Sequence, residues 1–246
     1  MLVSYNLLKE YVDLSGLTVK EVTDKLSLAG FELDGINYLA QASNLVIGEV
    51  LECENHPNSD HLHVTKTCVG NETLQIVCGA PNCRKGLKVI VALPGAVLPA
   101  KGITIEKGVI RGVESNGMLC SLLELGVDEN TLTDYQKAGI EELPNDAIVG
   151  NRNVLEYLGL DDTLLDISVT PNRGDVLAMY SFIKEVSAIL DRKIIKEDKF
   201  TLERVGKPVY TCSSDTDKCN YFSITEVDNI KIAPSPEWMQ KILKAN

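Results

Sequence analysis

A dense group of cysteine and histidine residues lies near the middle of this sequence, where metal chemistry would be expected. Seven potential ligands fall within 31 positions: Cys53, His56, His61, His63, Cys68, Cys78 and Cys83. Zinc sites usually pair two closely spaced ligands with a second pair at a characteristic distance. The spacings here match none of the standard patterns. We therefore expect no metal, and interpret His61 and His63 as two positions on one polar strand face.

The same cysteines could serve as nucleophiles, but their surroundings do not favour catalysis. All three histidines lie in one eight-residue stretch, and no catalytic signature surrounds Cys53 or Cys83. The glycine-rich patterns that bind nucleotide phosphates, G-x-G-x-x-G and G-x-x-x-x-G-K, are missing from the sequence. We expect no catalytic residue in this chain, and interpret its seven cysteines as reduced thiols, mostly in the core.

Basic residues form the third group with possible chemistry. Residues 41–125 hold seven basic and eight acidic residues, whereas residues 124–166 hold two basic and eleven acidic ones. Lys and Arg neutralise phosphates, and hydroxyl, amide and apolar groups contact sugars and bases. The candidate RNA-contacting residues are Arg84, Lys85, Lys88, Lys101, Lys107 and Arg111, followed by Ser115, Asn116 and Met118. Composition alone leaves an RNA-binding face and an ordinary solvated face equally open.

The kind of nucleic acid is restricted by a lack of aromatic residues. No Phe, Trp or Tyr occurs between Leu45 and Leu123. Single-stranded bases are usually held by stacking on aromatic side chains. Any nucleic acid bound here is therefore expected to be a folded RNA, recognised by its shape and backbone.

The elements that must position these residues are short strands. From Leu45 the apolar residues alternate with polar ones in several runs separated by turn signals, which indicates a small sandwich or barrel. The first forty residues are predicted to be helical, with a capping box at Thr18 and Glu21. After residue 125 we expect a strand over residues 164–170, and a helix capped by Asp175.

The C-terminal part predicts three further elements. Residues 207–212 and 221–227 alternate as strands do. Ser235, Pro236 and Glu237 form a strong helix start. Because that helix begins shortly before Asn246, we expect the chain to be a fragment of a longer subunit.

Overall composition sets limits on the function. The chain has 246 residues, of which 44% are hydrophobic and 24% charged, as in a globular protein. Its net charge of −11 argues against nucleic-acid binding when it is taken alone. We find neither a secretory signal nor an apolar stretch long enough to span a bilayer, so we expect a cytoplasmic protein without a membrane partner.

Three ordered motifs resemble the tRNA-binding OB domain that occurs in several aminoacyl-tRNA synthetases and as free-standing proteins. They are residues 56–64 (HPNSDHLHV), residues 74–82 (LQIVCGAPN) and residues 111–121 (RGVESNGMLCS). The flanks are similar to the beta subunit of bacterial phenylalanyl-tRNA synthetase. The flanking motifs are residues 1–13, LAGFE at 28–32, TPNRGD at 170–175, YFSIT at 221–225 and PSPEW at 234–238.

This resemblance implies an α+β fold with four segments. Residues 1–40 and 152–199 would form one small helical domain into which an OB-fold β-barrel, residues 41–151, is inserted. Residues 200–246 would be the truncated start of an editing domain.

The resemblance also implies a binding face and partners. In this family the Asn after Gly-Ala-Pro and the Ser and Met of the Ser-x-Gly-Met turn lie on or near the binding side. We therefore place the RNA face on Asn82, Arg84, Lys85, Lys88, Lys101, Lys107, Arg111, Ser115 and Met118. The full enzyme pairs alpha and beta subunits as α2β2 and joins phenylalanine to its tRNA with ATP and Mg²⁺. Such cofactors are not expected in this chain. The alternative is a docking module with little tRNA affinity of its own.

Overall fold

The described residues form a mixed α and β structure with two larger antiparallel sheets and two two-stranded ones. The computed structural model describes residues 1–197, 206 and 209–245. The strands are β1 (Leu2–Ser4), β2 (Glu32–Tyr38), β3 (Leu45–Asn55), β4 (His63–Cys68), β5 (Thr73–Cys78), β6 (Lys88–Ala92), β7 (Val97–Leu98), β8 (Ile103–Thr104), β9 (Gly108–Ile110), β10 (Val113–Ser115), β11 (Met118–Cys120), β12 (Glu142–Leu143) and β13 (Thr163–Ser168). The two-stranded sheets are β7–β8 and β9–β10.

Six α-helices accompany these strands. They are α1 (Tyr5–Tyr11), α2 (Val19–Leu28), α3 (Asp134–Ala138), α4 (Val154–Leu158), α5 (Met179–Leu190) and α6 (Glu237–Ala245). The capping box predicted for α2 is confirmed, because Thr18 Oγ1 accepts from the Glu21 amide while the Glu21 carboxylate accepts from the Thr18 amide. The start of α6 at Glu237 also agrees with the sequence signal. No helix in the described part of the chain has the length and apolar character needed to cross a membrane.

The first sheet joins two distant parts of the chain. Its strand order is β1–β13–β2, and all pairs are antiparallel. Helices α1, α2 and α5 supply most of the core on this sheet. The fully buried residues of that core include Val3, Leu8, Val22, Leu26, Leu165, Ile167, Val176, Phe182 and Val186. Phe31 meets Phe182 edge to face at 5.6 Å. Residues 1–31 and 165–190 therefore share one hydrophobic core.

The second sheet carries the candidate site. Its order is β11–β6–β3–β4–β5, with β12 added beside β6. Both faces of its central strands are buried, since Ile47 and Ile90 enter one apolar cluster while Val46 and Val89 enter another. The second cluster also takes Ile76 from β5 and Leu119 from β11, which are the two ends of the strand order. The sheet is thus strongly curled, with β5 close to β11.

Three hydrogen bonds connect the curled edges, one of them from Gln75 Nε2 to the Glu114 carbonyl oxygen at 2.9 Å. The Asn116 amide donates to the Gln75 carbonyl oxygen at 2.8 Å. The Val77 amide donates to Ser115 Oγ at 3.0 Å. The strand β5 is therefore attached to the segment that precedes β11 by one main-chain bond and two side-chain bonds.

The prediction that the first forty residues are helical is wrong for two segments. Residues 2–4 and 32–38 are strands on either side of β13. The β2 strand pairs with β13 across a register shift between Asp166 and Ile167. Pairing with a strand more than a hundred residues away determines this structure, and local sequence does not report such a partner.

Two predictions after residue 170 also need correction. Asp175 does not cap a helix, because Arg173 holds its carboxylate through two N–H bonds of 3.1 Å, and the chain runs as a 3₁₀ segment over Pro171–Leu177. Helix α5 begins later, at Met179. Residues 221–227 contain no strand. Of the run 207–212, residues 207 and 208 lie outside the described residues, and residues 209–212 are not a strand.

Candidate nucleic-acid interface

A cleft of about 600 Å³ lies between the end of β5, the β9–β10 hairpin, β11 and helix α3. Apolar side chains from the hairpin and from β11 line one part of it, including Val109, Ile110 and Met118. The polar residues lining it include Ser121, Glu124 and Lys137. The Glu124 carboxylate accepts a hydrogen bond from the Ser121 amide at 2.6 Å. The turn that follows β11 therefore fixes the position of this carboxylate. The cleft therefore combines apolar surface with both charge signs.

The β9–β10 hairpin projects beside this cleft. Its two-residue turn has positive φ at both Arg111 (48°) and Gly112 (91°), as a type I′ turn requires. Val109 is 67% exposed and Ile110 is 40% exposed. Large apolar side chains at such exposure beside a basic turn residue suit contact with a ligand better than packing within the chain.

A buried histidine fixes the hairpin in place. His56 is 3% exposed, and its Nδ1 accepts from the Asn58 amide at 3.0 Å. Because Nδ1 accepts, Nε2 carries the ring hydrogen and donates to the Ile110 carbonyl oxygen at 3.1 Å. Asn58 Nδ2 donates to the Arg111 carbonyl oxygen at 3.0 Å. His56 is thus a positioning residue for the hairpin, and both of its ring nitrogens are bonded to backbone groups of Asn58 and Ile110.

Asn82 and Arg84 belong to a second network on one rim of the cleft. Asn82 Nδ2 donates to the Ile140 carbonyl oxygen at 2.8 Å, and Asn82 Oδ1 accepts from the Ile140 amide at 3.1 Å. Arg84 forms a bidentate pair with Glu142 at 2.7 and 2.8 Å. The guanidinium lowers the pKa of Glu142 to about 2, and the carboxylate raises the pKa of Arg84. The charge of Arg84 is therefore already balanced within the chain.

Lys88 and Ser115 also have partners inside the protein. Lys88 Nζ donates to the carbonyl oxygens of Asn145 and Ala147, both at 2.6 Å. Ser115 is 4% exposed; its hydroxyl donates to the Gly117 carbonyl oxygen and accepts from Val77. These contacts assign both residues a role in holding the sheet together. Direct contact of either with RNA stays a prediction.

Besides Arg84, which is exposed but paired with Glu142, four of the predicted basic residues are exposed to solvent. Lys85 lies in the loop between β5 and β6, Lys101 at the end of a 3₁₀ turn after β7, and Lys107 just before β9. Arg111 forms the hairpin turn, and its guanidinium reaches the Asn58 carbonyl oxygen only at 3.5 Å. Met118 is half-buried in the cleft wall. These four cations are therefore available to an external anion.

Sequence reasoning missed several residues of this interface. Glu142 and Tyr135, whose hydroxyl donates to Glu142, lie more than fifty residues from Arg84, and no local pattern connects them. Val109 and Ile110 could have been noticed, because two large apolar residues directly precede the Arg-Gly turn. Among the described residues, no three His, Cys, Asp or Glu side chains converge as metal ligands.

Comparison with known proteins identifies the class of domain. Residues 45–152 match the family model of a putative tRNA binding domain. This match covers the curled sheet, the hairpin, the cleft and helix α3. The part of the chain that forms the candidate interface is therefore a tRNA-binding domain.

Longer relatives identify the particular family. The chain is 45% identical over 99% of its length to the phenylalanine–tRNA ligase beta subunit of Streptococcus pneumoniae strain R6, and 44% identical over its whole length to that of Oceanobacillus iheyensis. A crystal structure of a MetRS-related protein from Pyrococcus horikoshii covers 44% of this chain and 86% of its own, at 22% identity and a TM-score of 0.31. This chain belongs to the family of phenylalanine–tRNA ligase beta subunits, and it spans about 30% of their length.

Proposed function

We propose that this chain binds folded tRNA through the cleft side of its second sheet, as the tRNA-binding region of a phenylalanine–tRNA ligase beta subunit. The observation that carries the proposal is the match of residues 45–152 to a tRNA-binding domain, together with exposed cations around that domain. Lys85, Lys101, Lys107 and Arg111 would contact phosphates. Met118, Val109 and Ile110 would supply apolar contact to sugars and bases.

We further infer that the second sheet is an OB-fold barrel. Its curled strand order and the bonds from β5 to residues 115 and 116 support this architecture. The shared core of residues 1–31 and 165–190 supports one domain built from residues 1–40 and 152–199, with residues 41–151 inserted. Residues 200–246 would begin an editing domain, on the resemblance of residues 221–225 and 234–238.

In the complete enzyme we infer that this region works beside an alpha subunit in an α2β2 assembly in the cytoplasm. That enzyme would join phenylalanine to its tRNA with ATP and Mg²⁺. The role proposed for this chain is to bind and position tRNA.

The proposal is tested by titrating a labelled, folded tRNA transcript with the purified chain at low and moderate salt. Lys85→Glu should weaken binding and reduce the dependence of log K on log salt by about 0.7 to 0.9, because one phosphate contact is lost. Lys25→Glu makes the same charge change on α2 and should leave the slope unchanged. Met118→Ala should weaken binding without altering the slope, since Met118 carries no charge.

A docking role is the competing outcome of the same titration. The net charge of −11 favours it, because a chain with that charge repels polyanions at long range. If the parent chain shows no salt-dependent binding, or if Lys85→Glu binds as the parent does, the region is a docking module and the exposed cations are ordinary surface.

A further inference from the structure

Three cysteine thiols from separate parts of the sequence meet beside the loop that follows β5. Cys53 lies on β3, Cys78 is the last residue of β5, and Cys83 lies in the loop. The Cys53 and Cys83 sulfur atoms are 4.0 Å apart. The Cys78 and Cys83 thiols are near enough for each to shift the pKa of the other. We name Cys53, Cys78 and Cys83 the thiol trio.

The members of the thiol trio differ in exposure and in acidity. Cys78 and Cys83 are each 6% exposed, whereas Cys53 is partly exposed. The neighbouring Cys83 thiol lowers the pKa of Cys78, whereas the Cys78 thiol and burial raise the pKa of Cys83. Cys53 is therefore the member that a small oxidant in solution reaches first, and Cys83 is the buried thiol with both other sulfurs around it.

We propose that Cys53 and Cys83 form a reversible disulfide when the protein meets a hydroperoxide. The Cys53 thiol first gives its proton to solvent, and the thiolate attacks one oxygen of hydrogen peroxide. The O–O bond breaks, the sulfenic acid forms, and the leaving hydroxide takes a proton back from solvent as the first water. The Cys83 sulfur then attacks the sulfenic sulfur. The S–O bond breaks, and the leaving hydroxide takes the Cys83 proton as a second water. Two thiols are oxidised and one peroxide is reduced to two waters.

The geometry favours this pair over the other cysteines. A disulfide needs sulfur atoms about 2.05 Å apart, so Cys53 and Cys83 must approach by about 2 Å. Cys83 lies in a loop, where a side-chain rotation and a small backbone shift can close that gap. Cys53 Sγ also donates to the Cys83 carbonyl oxygen at 3.7 Å, which keeps it beside Cys83, whereas Cys68 and Cys120 direct their thiols to the carbonyl oxygens of Gly70 and Met118.

The disulfide would fix the loop of the proposed RNA face to strand β3. Cys83 lies between Asn82, which is bonded to Ile140, and Arg84, which is paired with Glu142. The modification does not depend on tRNA binding, so it can be tested without RNA.

The test uses the reduced chain with Cys212→Ser and Cys219→Ser, which removes the two exposed cysteines of the C-terminal segment. The protein is treated with hydrogen peroxide, unfolded, alkylated, digested and analysed by mass spectrometry. The expected product is a peptide pair joined through Cys53 and Cys83, which a dithiol reductant releases. If Cys53 is oxidised to sulfinic acid with no link to Cys83, the proposal fails.

Matched variants decide which thiols are involved. Cys83→Ser should abolish the linked peptides and let Cys53 accumulate as sulfinic acid, because the resolving sulfur is gone. Cys68→Ser should leave the linked peptides unchanged. If Cys83→Ser does not fold, Cys53→Ser at the partly exposed position should give the same loss of linkage. Equal linkage of Cys53 to Cys68 and to Cys83 would overturn the proposal.

Discussion

Glu142 is the residue on which the rim of the cleft depends. Its carboxylate accepts from Arg84, Asn82 and Tyr135, and so joins the loop after β5 to helix α3 and strand β12. Charge-assisted bonds of this kind are stronger than neutral ones, and bidentate geometry adds orientation. The same bonds balance the charge of Arg84 within the chain, and its contact with RNA stays a prediction.

Glu142→Gln should destabilise the fold in a pH-dependent way. The pKa of Glu142 is about 2 in the folded chain, below its ordinary value of 4.5. Its contribution is therefore complete above about pH 4.5 and is lost as the pH falls towards 2. We expect a loss of about 1 kcal/mol at pH 7, reduced by solvent screening of the pair, and none near pH 2.

Urea unfolding at both pH values measures this difference. The exposed carboxylate of Glu72 gives the control, since Glu72→Gln should leave stability unchanged at either pH. A constant deficit for Glu142→Gln at all pH values would show that the loss comes from packing and not from charge.

A substitution at Lys88 tests whether this basic residue stabilises the fold or is free to bind RNA. Its ammonium donates to two carbonyl oxygens of the segment after β12. Lys88→Met should leave both oxygens without their partner and cost about 2 kcal/mol in unfolding free energy. Lys85→Met, three residues earlier and exposed, should cost nothing measurable. If the two variants are equally stable, the Lys88 contacts do not stabilise the fold, and Lys88 is available to bind a phosphate.

The residue types of the interface could be predicted from the sequence, but their pairing could not. The positions of Lys85, Lys101, Lys107 and Arg111 on the surface agree with their charge. The internal contacts of Arg84 and Lys88 depend on residues 142–147, which sequence patterns do not connect to β5 or β6. A count of basic residues therefore overstates the charge available to a ligand.

At the scale of elements, Gly117 allows the turn that joins β10 to β11. Its φ is 134°, and a Cβ atom there would lie 2.8 Å from the Ala92 carbonyl oxygen. Gly117→Ala should therefore cost about 2 kcal/mol or more, because neither the backbone angle nor the space suits a side chain. Gly108→Ala has nothing within 4 Å and no positive φ, and should be nearly neutral. Thermal unfolding of the two variants separates them.

Elements with a local signal were predicted well. The alternation of residues 74–78 and the capping box of α2 both correspond to observed elements. The strand β2 was missed because its pairing partner, β13, lies far along the chain. The 3₁₀ segment before α5 was missed because it depends on Arg173, which has non-helical φ and ψ and pairs with both Asp175 and Glu185.

At the scale of the whole molecule, charge is distributed unevenly. The net charge of the chain is −11, but the net charge of residues 41–125 is only −1, because they include seven basic and eight acidic residues. Acidic residues concentrate after residue 124. At physiological salt, fields beyond about 8 Å are screened, so a bound phosphate responds mainly to the nearest cations.

This distribution predicts the salt dependence of tRNA binding by the intact chain. Of the seven basic residues, Lys66, Arg84 and Lys88 are paired within the chain. This leaves four exposed cations: Lys85, Lys101, Lys107 and Arg111. Each phosphate contact contributes about 0.7 to 0.9 to the slope of log K against log salt, so the slope should not exceed about 4. The double variant Lys85→Glu with Lys107→Glu should lower the slope by about 1.5. A slope well above 4 for the parent chain would mean that Arg84 or Lys88 leaves its internal partner when tRNA binds. In that case Glu142→Gln, which removes the charged partner of Arg84, should bind tRNA more tightly than the parent.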